Sequence, residues 1–291
     1  MKTSGEGDDR VTDFLGIGFR RCASSWLHAV LSEHPQVGKP KSGLHFFSED
    51  SRFRNGKQWY LEQFKPWHDR DIIGEVSVSY TYPEKYDLAS ARIKSLFPDI
   101  KLVCSVRNPI ERAYSDYRRS LHYAEIGGVT FEDAIEQYPE YINRGMYGKI
   151  LLRYFDLFGD RLKILFFDDL LRDPGKYIRD IYSYLGVDHQ FIPSVLESPK
   201  GTAHPVKNKQ IQGLLIQLER ALSKSFRIFG LGFVLDAMKR TGVPDLIKQA
   251  NRRYDDGIKP ETYRRLINVY REDIKLLSSI TGRNLSGWTE R

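Results

Sequence analysis

The chain has 291 residues, 41% of them hydrophobic and 29% charged, with a formal net charge of +7. This balance is that of a soluble globular protein of one or two domains. It contains no apolar run near the roughly 20 residues of a membrane span, and its two cysteines are too few for a disulfide framework. The positive charge favours an anionic ligand or surface; without a zinc-finger or RNA-recognition signature, nucleic acid is not the expected partner.

Residues 1–12 are polar and acidic, which predicts a flexible terminus rather than a signal peptide, and a cytoplasmic protein. "FLGIG" (14–18) is a short apolar run ending in glycine, hence a buried strand. "SSWLHAVLSEH" carries Trp26, Leu27, Val30 and Leu31 at helical spacing, with Ser24 as the expected N-cap and Pro35 as the stop. "DIIGEVSVSY" (71–80) starts as a strand, residues 83–98 read as a helix, and "KLVCSV" (101–106) is a strand. Residues 109–124 form a helix opened by Pro109, a favoured first position for proline. A helix near 146–158, a strand over 162–167 and a helix over 175–186 follow. Strands alternating with helices predict an α/β fold, a parallel β-sheet flanked by helices, with ligands at the carboxyl ends of the strands.

Residues 207–281 are mainly helical and basic, and read as a C-terminal appendage to a single domain spanning 1–291. Within it, residues 214–253 carry Leu215, Leu218, Leu222, Phe226 and Phe229 at helix-like spacing, beside Arg220, Lys224, Arg227, Lys239 and Arg240. Such a segment can shape an acceptor entrance or lie against an anionic glycan or a membrane. Packing on the sheet domain with its charges in water is the plainer alternative.

The turn from 18 to 25 is the first candidate site. It has the place of a phosphate-binding loop, but aligned on G-x-x-x-x-G-K-[ST] it puts Ala23 on the second glycine and Ser24 on the lysine. A strand–turn–helix leaves backbone N–H groups free at the positive end of a helix. Ser24 and Ser25 add hydroxyls, and Arg20 and Arg21 add guanidinium forks suited to phosphate or sulfate oxygens. An ordinary helix start beside two solvated arginines fits this stretch alone equally well. "VCSVRNPIERAYSDY" (103–117) is a second strand–helix junction, with Arg107 at the strand end and Ser115 about two turns into the helix. Together these two suit a phosphate monoester; either residue alone reads as a surface side chain.

The two stretches together resemble the PAPS-dependent sulfotransferases, which use 3′-phosphoadenosine-5′-phosphosulfate as donor. "RRCASSWL" is similar to that family's "PKSGTTWL" loop, and "RNPIERAYSDY" to its "RNPxxRAxSxY" segment. "FFDDLLRDP" (166–174), "YLGVD" (184–188) and, more weakly, "LSGW" (285–288) also fit. The resemblance implies a P-loop-like sulfotransferase fold, nearer the glycan and bacterial branch. It implies that Arg20, Arg21, Cys22, Ala23, Ser24, Ser25 and Trp26 surround the 5′-phosphosulfate and that Arg107 and Ser115 hold the 3′-phosphate. Lys200 and Gly201 would cover the adenine and 3′-phosphate, or belong to a solvated loop. No metal is implied, and no metal-ligand spacing is present among the seven histidines.

The chain departs from the pattern at three places. Arg21 stands at the loop lysine, Gly43 at the glutamate of "KExHFF", and Val76 at the lysine of "EKSPxY". The base that activates an acceptor hydroxyl is therefore sought elsewhere. His45 in "LHFF" is the first candidate, since histidine titrates near neutral pH. Glu75 is the second, with a structural carboxylate as its alternative. Glu49 and Asp50 read as a solvated loop, and Tyr147 as facing the acceptor or as core. Cys22 lacks the arginine six residues on that a phosphatase loop needs, because His28 stands there. The expected function is sulfuryl transfer to a hydroxyl of a small molecule or glycan. The alternatives are a P-loop-type kinase and a donor-binding scaffold without turnover.

Overall fold

The computed structural model describes residues 11–123, 125–126, 129–197 and 257–290. The chain divides into two compact units, one of Met1–Arg112, Ile142–Lys200 and Leu266–Arg291, the other of Ala113–Tyr141 and Gly201–Arg265.

The first unit is built on a five-stranded sheet. Its strands are β1 (Phe14–Gly18), β2 (Val37–Gly38), β3 (Ile72–Val76), β4 (Lys101–Val106) and β5 (Leu162–Phe166), in the order β2-β3-β1-β4-β5. Every pairing is parallel. Among the described residues of both units the helices are α1 (Ser24–Glu33), α2 (Asp50–Phe53), α3 (Gly56–Glu62), α4 (Tyr86–Leu96), α5 (Pro109–His122), α6 (Phe131–Gln137), α7 (Glu140–Asn143), α8 (Tyr147–Phe158), α9 (Phe167–Arg172), α10 (Pro174–Leu185) and α11 (Pro260–Thr281). All five residues of β1 are buried, as a parallel strand covered on both faces requires. Phe14, Leu27, Val30, Leu31, Ile178 and Ile181 form part of the core between the sheet and helices α1 and α10. An aromatic cluster of Phe46, Phe47, Tyr60 and Phe97 lies apart from it.

The expected strands at 14–18 and 101–106 are those observed, and the others differ only at their ends. The stretch 71–80, expected to start as a strand, is β3 to Val76 and continues as a 3-10 turn over Val78–Thr81. Ser24 is not the N-cap of α1. It is the first helical residue, and Ala23 caps in a left-handed conformation. The helix ends at Glu33, with His34 extended ahead of Pro35, as steric conflict with a proline ring demands.

In the second unit Thr130 caps α6, accepting from the Asp133 N–H. Phe131 packs against Tyr114 and Tyr117, and Arg265 pairs with Glu136. Lys200, Gly201 and the segment 214–253 lie outside the described residues. Among the described residues no helix is long and apolar enough to cross a membrane.

Candidate functional site

The connection leaving β1 and that leaving β4 run to opposite sides of the sheet, so the crevice of this fold opens between their carboxyl ends. β1 leaves its ladder through an irregularity between Gly16 and Gly18, and the Phe19 N–H donates to the Ser105 carbonyl on β4 at 3.1 Å. The turn that follows has left-handed residues at Arg21 (φ 67°) and Ala23 (φ 65°). Turns of this kind form concavities of N–H groups that receive anions. The first bond of α1 runs from the Leu27 N–H to the Ala23 carbonyl, so the N–H groups of Ser24, Ser25 and Trp26 precede the helical ladder. No side chain caps this end and no acidic residue opposes its dipole. Ser25 is exposed, Ser24, Arg20 and Arg21 are half-buried, and Trp26 meets Tyr177 edge-on at 5.7 Å.

Cys22 points inward. Its Sγ lies 3.4 Å from the Tyr147 hydroxyl, and burial raises its pKa to about 11. It serves the loop through its backbone. Burial also pushes the Cys104 thiol up. Neither cysteine should react with iodoacetamide in the folded protein at pH 8, and both should react in denaturant. Rapid labelling of native Cys22 would show the loop to be open. Tyr147 is a buried residue beneath the loop, packed edge-on against Phe19 at 4.7 Å. Its helix α8 is held by Asp273 of α11, which accepts from the Gly148 and Lys149 N–H groups, both at 2.8 Å. A Cβ on Gly148 would stand 2.4 Å from the Asp273 carbonyl. Nothing in the sequence reading pointed to this support.

Arg107 follows β4, whose end is tied to the β1 loop by the bond from the Phe19 N–H to the Ser105 carbonyl. Its guanidinium is 3.2 Å from Glu111 and lies over the Phe167 ring at 4.7 Å, which fixes the fork at the mouth of the crevice. Asn108 starts α5 by accepting from the Ile110 and Glu111 N–H groups. Ser115 lies on α5 in the second unit.

On the other side of β1, the end of β3 holds the loop of Gly43–Ser48. Glu75 is fully buried. Its carboxylate accepts from the Leu44 N–H, the Ser77 hydroxyl at 2.6 Å, and the hydroxyls of Tyr80 and Tyr60. Burial raises its pKa against these donors. The His45 N–H donates to Ser77 Oγ at 2.9 Å, and His45 itself is left-handed (φ 52°). Its imidazole is half-buried and makes a 2.6 Å hydrogen bond from Nδ1 to Ser79. Burial first, and Arg52 second, lower its pKa, so the ring is neutral at neutral pH. Glu49 pairs with Lys85 and Asp50 with Arg92.

Gly43 cannot be a glutamate in this arrangement. A Cβ there would lie 2.6 Å from Ser77 Oγ and 2.6 Å from the Val76 carbonyl. Gly43→Ala should destabilise the fold by about 1–3 kcal/mol through overpacking. Thermal unfolding would show it as a melting temperature several degrees lower; an unchanged midpoint would contradict the close packing. Lys39, which the sequence reading passed over, is buried just beyond β2. Its ammonium group meets the His28 ring at 2.8 Å, Ser32 Oγ at 2.9 Å and the Pro40 carbonyl at 3.1 Å. Burial lowers its pKa to about 8, and burial and Lys39 lower that of His28 to about 4.

Residues 11–212 match the sulfotransferase domain family. The chain belongs to that family. It is 26% identical over 257 residues to a mouse protein named heparan sulfate glucosamine 3-O-sulfotransferase 3B1, a match that covers 77% of this sulfotransferase-domain chain and 64% of the mouse protein. It is 28% identical over 194 residues to human heparan sulfate glucosamine 3-O-sulfotransferase 6, covering 63% and 55%. The chain thus spans less than two thirds of the length of these curated relatives. A crystal structure of a sulfotransferase from Alicyclobacillus acidocaldarius superposes with a TM-score of 0.68 at 21% identity, over 97% of this chain and 100% of that one. That likeness concerns the fold. The matches do not favour the kinase alternative.

Proposed function

We propose that the chain is a sulfotransferase that moves a sulfuryl group from 3′-phosphoadenosine-5′-phosphosulfate to a saccharide hydroxyl, in the manner its relatives' names describe for heparan sulfate glucosamine. The order of the strand ends carries this reading. The loop after β2 that carries His45 is bonded to Ser77 and Ser79 just past the end of β3, the anion loop follows β1, and Arg107 follows β4, with β3, β1 and β4 adjacent in the sheet. Candidate base, 5′ anion loop and 3′-phosphate arginine therefore stand at the carboxyl ends of three neighbouring strands. Sulfuryl transfer, like phosphoryl transfer, places attacking and leaving oxygens in line, and the protein's part is positioning and charge stabilisation.

In this reading the N–H groups of Ser24, Ser25 and Trp26, with the two serine hydroxyls, hold the 5′-phosphosulfate. Arg20 and Arg21 compensate charge that builds on the departing phosphate. Arg21 does so as a fixed cation, since a guanidinium is a poor proton donor. Arg107 takes the 3′-phosphate. His45 Nε2 accepts the proton of the acceptor hydroxyl, and Glu75 holds the loop that carries His45. The net charge of +7 suits an anionic saccharide.

The crowding at Gly43 favours one second reading, a donor-binding protein without turnover. Incubation with radiolabelled donor and desulfated heparan-type saccharides, in parallel with phenols, decides between them. Label is expected in the saccharide; tight donor binding with no label in any acceptor would support the second reading instead.

A further inference from the structure

The hydroxyls beside His45 can be assigned by counting their protons. Ser48 Oγ lies 3.2 Å from the His45 carbonyl, which can only accept, and 2.6 Å from Ser79 Oγ, which in turn lies 2.6 Å from His45 Nδ1. Each hydroxyl has one hydrogen. One assignment alone makes all three contacts hydrogen bonds at once: Ser48 donates to the carbonyl, Ser79 donates to Ser48, and Nδ1–H donates to Ser79. That assignment puts the hydrogen on the ring nitrogen Nδ1. The three bonds close a ring that runs from His45 Nδ1–H to Ser79, to Ser48 and back to the His45 carbonyl. Ser79 and Ser48 are both buried, so water does not readily replace either partner.

We propose that Ser79 and Ser48 are positioning residues that fix His45 as the Nδ1–H tautomer, leaving the Nε2 lone pair as the proton acceptor of the site. The inference rests on the reading of His45 as base for its consequence, but not for its geometry. A histidine's second nitrogen is set by the bond its first one makes, and a wrong tautomer offers a hydrogen where a lone pair is needed. The backbone of His45 is held in the left-handed region by the same loop, a strain that requires surrounding support. The charged groups acting on the ring are Arg52 and Glu49, which oppose one another.

Nitrogen NMR of the free protein, labelled at histidine and read above pH 7, tests the tautomer without any substrate. The wild-type ring should show a pyrrole-like Nδ1 and a pyridine-like Nε2. Ser79→Ala should move both signals toward the averaged values of an unrestrained ring. It should also lower kcat about three- to tenfold, the fraction of molecules left in the wrong tautomer, at unchanged donor KM. Ser79→Thr, which keeps the hydroxyl, should restore both. Ser48→Ala should shift the signals in the same direction and covers the case in which Ser79→Ala does not fold. A pyridine-like Nδ1 in the wild type, or signals indifferent to Ser79→Ala and Ser48→Ala, would overturn the proposal. Correct signals together with an active His45→Ala variant would leave the tautomer assignment standing and remove His45 as base.

Discussion

His45→Ala lowers kcat by about 10²–10⁴-fold, the contribution of a positioned general base, while the affinity for 3′-phosphoadenosine 5′-phosphate stays near that of the wild type. The separation follows from where the groups stand. His45, on the loop after β2, is bonded to Ser77 and Ser79 past the end of β3, and the proposed donor-binding groups follow β1 and β4. Burial and Arg52 hold the imidazole pKa below its ordinary value of 6.5, so the acid limb of the kcat profile should lie below pH 6.5 and vanish in the variant. The same shift acts on folding. Between the lowered pKa and 6.5 the unfolded chain binds more protons, so stability rises with pH through that window and is lower beneath it. Glu75→Gln gives the contrast. With its carboxylate buried among four donors, its loss should lower the melting temperature as well as the rate. An active His45→Ala, with Glu75→Gln folded as well as the wild type and inactive, would move the role of base to Glu75.

Arg107→Ala weakens binding of 3′-phosphoadenosine 5′-phosphate and spares the analogue without the 3′-phosphate. A hydrogen bond to a charged group contributes about 1.5–3 kcal/mol, which is roughly tenfold to 150-fold in affinity. Arg107 is already held against Phe167 and Glu111, so little ordering is needed when the ligand binds. Arg107→Lys should fall between, because an ammonium group keeps the charge and loses the fork. Calorimetry with the two nucleotides reads the difference, and equal weakening of both would take the 3′-phosphate away from Arg107.

The strands and the start of α5 were legible because local signals decide them. A short apolar run ending in glycine can only be a buried strand entering a turn, and "RNPIERAYSDY" combines an N-capping asparagine with a proline at the first helical position. Short elements such as β2 and α7 were not legible, since two or four residues carry no periodicity. Ser24 was misplaced by one position because capping preference points to serine, whereas the left-handed turn at Ala23 sets the boundary. Gly43 read as a missing base. Its reason is spatial: the Ser77 hydroxyl and the Val76 carbonyl fill the place of a side chain. The burial of Lys39 and the hold of Asp273 on α8 depend on contacts 11 and 125 residues apart in sequence, which local patterns do not report.

Sulfuryl transfer in this crevice is measured directly as product formation with chelator present. The protein is mixed with labelled 3′-phosphoadenosine-5′-phosphosulfate, a desulfated heparan-type saccharide and EDTA, and the saccharide and nucleotide are separated after one turnover. Labelled saccharide and 3′-phosphoadenosine 5′-phosphate should appear in equal amounts, both formed about 10²–10⁴-fold more slowly with His45→Ala. Intact donor alongside unlabelled saccharide, or transfer only from ATP with Mg²⁺ restored, would contradict it.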